Sequence, residues 1–322
     1  MANVYTSVAT AGLGTQLVQA AYDKAVGEEL RLIPSMREFV NVVPGNPAMR
    51  GSSITLEKFA WFNKAAVLAA KTPLSEEIDV DSVKMPTPVP VTITPQEYGF
   101  TVTSTRKLAE RVFAPFDANK AKAVAFHMAQ TIDSLVQDVM VTGTQVKWGG
   151  NATALTDIAA SHVMTSSLIR RAVATLRAQG VPTWSGGFYA MEAHPYTILD
   201  LREETGSKSW RVPSEYGVSQ SEIWRGEINE FEGVRVVQNP TVRAHAASAP
   251  SVVQAVQTYI FGANAIAEQV FVEPEVRIAP QTDKLGRFHT IGWYGDLGWA
   301  VYEQKALYRI VTSPSEQALL VP

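Results

Sequence analysis

The stretch IGWYGDLGWAVYEQKALYRI, from Ile291 to Ile310, combines three glycines, two tryptophans and three tyrosines. It continues into an alternating pattern that is typical of a strand. Glycines and tryptophans often line ligand sites, but the glycine spacing here matches no phosphate-binding loop. The rest of the chain is needed to explain why so many glycines and aromatic residues occur in this stretch.

The overall composition describes a globular protein without a strong charge. The chain has 322 residues, 46% of them hydrophobic, which is enough for one large domain or two ordinary ones. The 28 basic and 31 acidic residues leave a net charge of -3. This balance argues against a general nucleic-acid binder, although a local basic face stays open.

Several chemistries are excluded by what the sequence lacks. It contains no cysteine, which rules out disulfides, thiolate metal sites and cysteine nucleophiles. Its first residues do not have the pattern of a signal peptide. No run of about 18 apolar residues occurs, so we expect no membrane span.

The first hundred residues predict an arm followed by a long hairpin. Residues 1 to about 50 look poorly packed, with one short helix at 15–31 and a break at 40–53 that contains two prolines and two glycines. Strand patterns at 52–60 and 91–104 flank a polar tip with acids at 76, 77, 79 and 81 and prolines at 73, 86, 88 and 90. This composition suits a hairpin that projects from the body.

The clearest helix follows, from Asp117 as N-cap to Gly143. Its apolar stripe comprises Val124, Met128, Leu135 and Val139, with Ala121 and Ile132 nearby. At about 1.5 Å per residue it would span nearly 40 Å. That length suggests a spine that runs across the whole molecule.

The second half alternates between short helices and strands. Residues 165–180 predict a helix that buries Leu168, Ala172 and Leu176 and stops at Gly180. A buried strand at 186–193 leads into a helix with Pro195 in its first turn. A hairpin with a Glu-Gly turn is predicted at 227–240, a strand that runs into a helix at 257–271, and a strand-rich region from 276 to 311.

The strongest candidate for chemistry is His194, with Asp200, Glu203 and Glu204 nearby in sequence. It could act as a general base or metal ligand. Its position before Pro195 equally suits an N-cap-like residue. The other histidines, at 127, 162, 245 and 289, do not have metal-ligand spacing relative to it.

The remaining candidates favour structural roles. The acids at 76–81 lack the turn glycine and closing glutamate of a calcium loop, so a solvated loop or one that meets a basic partner is favoured. Glycine pairs at Gly12 and Gly149 do not continue into phosphate-binding patterns, and Ser185 lacks the glycines of a nucleophile elbow. The seven tryptophans are scattered, which favours packing or subunit contacts. We therefore predict no catalytic, cofactor-binding or metal-binding residue and no enzymatic activity.

Four motifs, in order, resemble those of a bacteriophage major capsid protein with the Hong Kong 97-type fold, of the N-four-like family. FYAMEAHPYTILDLREE resembles the strand that ends in His-Pro and enters a helix. GEINEFEGVRVVQNP resembles a hairpin carrying Gly226, Ile228, Gly233, Val234, Arg235 and Val237. YIFGANAIAEQVF resembles a strand-to-helix piece. The closing block carries Asp283, Leu285, Gly286, Gly292, Trp293 and Arg309.

The resemblance implies an α+β capsid fold divided along the chain. It places an N-terminal arm at 1–50, the extended loop at 51–104, a peripheral domain with the spine helix at 105–164, an axial domain at 165–275, and returning peripheral strands and the C-terminus at 276–322. Gly292, Gly295 and Gly298 would then permit tight turns and close backbone approach. The segment 299–310 would be one long strand of the peripheral sheet.

The implied function is an icosahedral head shell of a tailed phage around double-stranded DNA. The expected partners are other copies, in hexamers and pentamers, with portal, scaffolding and decoration proteins and weak contacts to the packaged DNA. The expected location is the virion, assembled in the cytoplasm of a bacterial host. Relatives of this fold crosslink through a loop lysine, but the sequence does not identify Lys58, Lys64, Lys71 or Lys84 as reactive.

Three alternatives stay open at this point. An encapsulin-type nanocompartment shell shares the fold and would enclose an enzyme cargo. A hydrolase-like enzyme would use His194 and nearby acids. A tail or decoration protein would be mostly strand and would lack the spine helix.

Overall fold

The computed structural model describes residues 36–43, 53–59, 62, 71, 73, 76, 84–111, 116–184, 186–204, 230–246, 253–279 and 285–316. The predicted helix at 15–31 and most of the hairpin tip lie outside these residues. Within them, two large sheets share a hydrophobic core, and a two-stranded hairpin stands beside it.

Thirteen strands and four α-helices are present among the described residues. The strands are β1 Asn41–Val43, β2 Ile54–Lys58, β3 Val89–Ile93, β4 Gln96–Thr105, β5 Gln145–Trp148, β6 Tyr189–Ala193, β7 Glu230–Phe231, β8 Val234–Gln238, β9 Ala244–Ala246, β10 Gln254–Phe261, β11 Ile266–Ala279, β12 Phe288–Val301 and β13 Leu307–Thr312. The α-helices are α1 Arg106–Arg111, α2 Phe116–Met140, α3 Ser166–Ala178 and α4 Pro195–Glu203.

The first sheet has the order β1-β11-β12-β4, and α2 packs on one of its faces. β12 is central and antiparallel to both β11 and β4, while β1 is parallel to β11. Trp293 on β12 is buried on the helix side and donates from Nε1 to Nδ1 of His127 on α2, at 3.1 Å. The aromatic residues of the opening stretch therefore bind sheet and helix together.

The glycines of β12 lie within the strand and not at turns. A Cβ atom at Gly292 would lie 2.5 Å from Cγ2 of Thr101 and 2.7 Å from the carbonyl oxygen of Phe100 on β4. At Gly298 it would lie 2.8 Å from the backbone of Pro95. The expected close backbone approach is confirmed at these two positions, and the expected turns are wrong for this strand.

The second sheet has the order β5-β13-β10-β6-β8-β7, with β9 also paired to β10. Its centre is β10, where every residue from Ala255 to Phe261 is buried. The core shared with α2, α3 and α4 lies against this sheet. The predicted buried strand at 186–193 is confirmed as β6, and the Glu-Gly hairpin as β7 and β8, with Glu232 and Gly233 both at positive φ.

The opening stretch joins the two sheets, so the prediction of one long strand over 299–310 is wrong. β12 ends at Val301, and the amides of Tyr302 and Glu303 donate to the carbonyl oxygen of Ala265. A short 3-10 helix at Gln304–Ala306 follows, and its N-cap Glu303 accepts a hydrogen bond from the amide of Lys305. The chain then enters the second sheet as β13.

Residues 257–271 were expected to run from a strand into a helix, which is wrong, because two strands meet here. The turn between them has Asn264 at a φ of 61°, and Gly262 lies so close to Pro182 that a Cβ would be 2.5 Å from its carbonyl oxygen. β11 then pairs with β12 along its length. The sequence pattern of this short apolar segment suits a helix, but the segment is extended because it pairs with two neighbouring strands.

The strand predicted over 91–104 is divided in two. β3 pairs with β2, whereas β4 pairs with β12 in the first sheet. The break falls at Thr94 and Pro95, where proline has no amide hydrogen to donate to a ladder. The predicted pairing of the hairpin strands is confirmed by the antiparallel ladder of β2 and β3.

The long helix α2 is confirmed as continuous, and its 25 residues make it the longest helix of the described part of the chain. The predicted ends are wrong, because the helix begins at Phe116, which makes Asp117 its second residue and not its N-cap, and it stops at Met140, before Gly143. The predicted stripe is only partly right. Of the predicted residues, Val124 and Ile132 are buried, whereas Met128, Leu135 and Val139 are half-buried. Val136 and Met140, which lie outside the predicted stripe, are also buried. The helices predicted at 165–180 and after His194 are confirmed as α3 and α4.

Helix α2 also buries polar side chains, which no pattern in the sequence predicts. Asp133 is 2% exposed and accepts hydrogen bonds at Oδ1 from the amide of Met36 (2.9 Å) and at Oδ2 from Nε2 of Gln137 (2.9 Å) and Oγ1 of Thr241 (3.1 Å). Oε1 of Gln137 accepts from the amide of Arg243 at 2.8 Å. This polar network, centred on Asp133, joins the helix to two segments far away in sequence.

Met36 and Val40 are packed in the core, contrary to the expectation for everything before residue 50. Met36 is fully buried in the core, and β1 extends the first sheet. Arg37 bonds through Nε to Oε1 of the buried Glu268 at 2.9 Å and through Nη2 to Glu273 at 3.1 Å. Burial raises the pKa of Glu268, and Arg37 offsets that rise.

The sheets are discontinuous in sequence. The boundary expected between residues 275 and 276 falls inside β11, and β5 and β13 belong to the second sheet although the resemblance placed them in peripheral segments. Each sheet therefore takes strands from widely separated parts of the chain.

We predict that Asp133→Ala lowers the free energy of unfolding by about 3 kcal/mol, because it leaves several buried donors unpaired. The matched control is Asp138→Ala on the same helix. Asp138 is more than half exposed and pairs with Arg243 at the surface, so its loss should cost about 1 kcal/mol or less. Urea denaturation of both variants measures the difference, and equal losses would contradict the role of Asp133.

Candidate assembly surfaces

The hairpin of β2 and β3 exposes apolar side chains that a monomer would be expected to bury. Phe59, Phe62, Met85 and Val89 are 57%, 51%, 58% and 51% exposed. Phe59 and Phe62 follow β2, Met85 precedes β3 and Val89 is its first residue, so all four lie at the loop end of the hairpin ladder. Exposed apolar groups in such a concentration mark an interaction surface. We call these four residues the hairpin patch.

A charge pair fixes the loop end of strand β2 to the body. Nζ of Lys58 lies 2.6 Å from Oε2 of Glu303 and 5.9 Å from the ring centroid of Tyr302. Glu303 is the N-cap at the junction of the two sheets, so the direction in which the hairpin leaves the body is set there. Lys58 is thus engaged within the chain, whereas Lys71 and Lys84 are exposed and Lys64 lies outside the described residues.

A second apolar surface lies at the end of the first sheet where β11 stops and β12 begins. Ile278 is 77% exposed and Leu285 is 74% exposed. Val276 and Phe100 flank Trp293 in the same row across the sheet. Phe100 stacks on His127 with ring centroids 4.3 Å apart, so helix α2 holds this exposed ring in place.

His194, the candidate for chemistry, is the N-cap of α4. Its Nδ1 accepts a hydrogen bond from the amide of Tyr196 at 3.2 Å, which places the proton of the neutral ring on Nε2. The side chain is buried, and burial lowers its pKa. The N-cap interpretation is therefore the one that the geometry supports.

The acids near His194 in sequence make other contacts. Asp200 accepts hydrogen bonds from the amide and the hydroxyl of Ser315, and burial raises its pKa. Oε2 of Glu204 accepts from the amide of Ser166 at 2.9 Å, at the first turn of α3. These side chains secure helix ends and the chain near residue 315, and they do not form a nucleophile-base-orienter arrangement with His194.

The other sequence candidates also have structural places. Gly149 and Gly150 pack against His162, where a Cβ on Gly149 would lie 2.7 Å from a carbonyl oxygen. Within the described residues no group of three or more histidine and acidic side chains is placed to hold a metal ion. The helices described there include none that is long and apolar enough to cross a membrane. Ser185 and most of the 76–81 acids lie outside the described residues.

Comparison with solved structures gives full-length matches to capsid chains. The capsid of Cyanophage P-SCSP1u aligns with a TM-score of 0.70 and 11% identity, over 98% of this chain and 100% of that one. The capsid of Cyanophage Pam1 gives 0.70 and 13%, over 96% and 100%. The capsid of a native GTA particle gives 0.65 and 15%, over 96% and 100%.

No protein-family model and no curated protein sequence matches the chain. The structural matches nevertheless extend over almost all of it, and they define its class: the chain has the α+β, Hong Kong 97-like fold of phage capsid proteins. The fold expected from the sequence motifs is confirmed, and the narrower resemblance to the N-four-like family stays a prediction.

We predict that His194→Ala lowers the free energy of unfolding by about 1 kcal/mol at neutral pH, while His194→Asn, which retains an N-cap acceptor, loses much less. Because the folded-state pKa of His194 is lowered from 6.5, its contribution to stability is complete above that pH and falls as the pH drops below it. The Asn variant should lack this part of the pH dependence. Urea denaturation between pH 5 and 8 tests both points, and identical curves for Ala and Asn would exclude the cap.

Proposed function

We propose that this chain is the major capsid protein of a tailed bacteriophage and assembles into the icosahedral shell that encloses the double-stranded DNA genome. The observation that carries the proposal is the extent of the match, since capsid chains align from end to end at their full length. The apolar residues exposed on the hairpin and at the end of the first sheet supply the kind of surface that such assembly needs.

In the proposed subunit, each of the two sheets belongs to a different domain. The first sheet with α2 forms the peripheral domain, and the second sheet with α3 and α4 forms the axial domain around the capsomer centre. Residues 1–50 include the N-terminal arm, and residues 51–104 the extended loop. These assignments keep the parts expected from the sequence and take their boundaries from strand pairing.

A subunit of such a shell needs many contacts with its neighbours, each of modest affinity. A shell made of many copies corrects errors only when single contacts can dissociate. About 1,600 Å² of buried surface suffices for a specific contact, and a projecting hairpin supplies such an area without enlarging the core. The near-neutral net charge of -3 limits repulsion between copies.

The proposed role is structural and not enzymatic. The side chains of His194, Asp200 and Glu204 are occupied in capping and tethering helices. Self-association into hexamers and pentamers is the main partnership, with portal, scaffolding and decoration proteins and weak contacts to DNA as further ones. The location is the virion, after assembly in the host cytoplasm.

We expect the purified chain, alone or expressed with its phage partners, to form closed particles of uniform diameter. Negative-stain electron microscopy with sedimentation velocity tests this expectation. A compact monomer under every condition would contradict it. Protein cargo in place of DNA inside particles isolated from infected cells would favour the nanocompartment alternative.

The hairpin patch gives a sharper expectation. The triple substitution of Phe59→Ser, Met85→Ser and Val89→Thr should leave the melting temperature of the subunit nearly unchanged, because these side chains are more than half exposed. Particle formation should fail, since the lost apolar contacts lie between copies.

The matched control for that variant is Thr55→Ser with Thr92→Ser, an exposed pair on the same hairpin whose hydroxyl oxygens lie 3.2 Å apart. It keeps the polar character and should assemble normally. Normal particles from the triple variant would show that the hairpin patch does not carry assembly.

A further inference from the structure

The first sheet carries an unfavourable charge arrangement at one end. Glu97 on β4 and Asp296 on β12 are directly opposite each other in the ladder, on the sheet face away from α2. Like charges placed opposite each other destabilise a sheet. Burial and the Glu97 carboxylate raise the pKa of Asp296. On the same face the hydroxyl of Tyr294 bonds to Glu97, and Arg277, which is paired with Glu275, lies 5.0 Å from the Tyr294 ring centroid. The face continues through Thr101 as a polar surface that no described element of this chain covers.

The opposite end of the sheet carries the complementary arrangement. Where β4 ends, the short helix α1 presents Lys107 and Arg111, one helical turn apart and both exposed. Like charges at this spacing are also unfavourable. Glu110 is engaged by Arg106 at 2.7 Å, and in the described part of the chain neither Lys107 nor Arg111 forms an ion pair.

The two arrangements cannot meet within one chain. Glu97 is the second of the 10 residues of β4 and α1 begins directly after the last, so roughly 27 Å of extended strand separates them. The two surfaces carry charges of opposite sign and lie at opposite ends of one sheet. They can therefore compensate each other only between copies. Such a head-to-tail contact is heterologous and closes into a ring when the rotation between copies permits it.

We propose that helix α1 of one copy docks on the polar face of the first sheet of the next, with Lys107 and Arg111 against Glu97 and Asp296. This contact deepens the proposed shell function, on which it rests, by naming a surface and its occupant. Complementary charges of this kind fix orientation and suppress incorrect partners more than they add affinity.

A charge-swap experiment tests the contact. One variant carries Glu97→Lys and Asp296→Lys, and the other carries Lys107→Glu and Arg111→Glu. Each keeps a like-charge pair of reversed sign, so the folding stability of the subunit should change little, as circular dichroism and thermal melting would show. In each variant alone the two docking surfaces repel, so particle yield should fall by more than about tenfold.

Mixing the two variants should restore association in rings with an even number of copies, such as hexamers, because the variants can alternate there and each offers the charge that the other lacks. A five-membered ring keeps one mismatched contact. A chain that carries all four substitutions should also assemble alone. If either two-site variant assembles as the wild type does, or if the chain with all four substitutions stays dispersed, the contact is wrong while the shell function stands. If the wild type itself forms no particles, the shell function fails first.

Discussion

The buried carboxylate of Asp133 is the constraint on which the arrangement of the two sheets depends. A carboxylate removed from water must be supplied with donors, because an uncompensated buried charge is very costly. Here the donors come from Met36, Gln137 and Thr241, so the chain before β1 and the chain after β8 must both reach helix α2. Helix α2 acts as a spine because its polar side chains, like its apolar ones, contact segments that come both before and after it in the sequence.

A second constraint comes from β12 and its continuation. The strand is the centre of the first sheet, and a few residues later the chain becomes β13 of the second. Its glycines let β4 approach closely, while Trp293 reaches across to His127 on α2. The hairpin is tied to the same junction through Lys58 and Glu303. The relative orientation of both sheets and of the projecting hairpin is therefore set within one short region.

Features governed by local periodicity and caps could be predicted from the sequence. Helix α2, helix α3 with its stop at Gly180 and the capped start of α4 follow from patterns within a few turns. The pairing partners of strands could not be predicted in this way. β11 runs through Pro274 because register shifts around Val272 and Glu275 accommodate it, and only the neighbouring strand determines that irregularity. The Asp133 network joins residues about 100 positions apart, so no local pattern predicts it.

The residues that stabilise the folded subunit are different from those that we propose form contacts between copies. Inside the molecule, the shared core buries apolar side chains and the Asp133 network supplies the buried carboxylate with donors. Outside it, the unsatisfied features are the hairpin patch, the exposed end of the first sheet and two like-charge pairs at opposite ends of β4. A subunit of this kind can reach its folded state alone, since none of these features is needed for the core. In the proposed shell, further free energy would be gained only from neighbouring copies, so assembly would select copies that are already correctly folded.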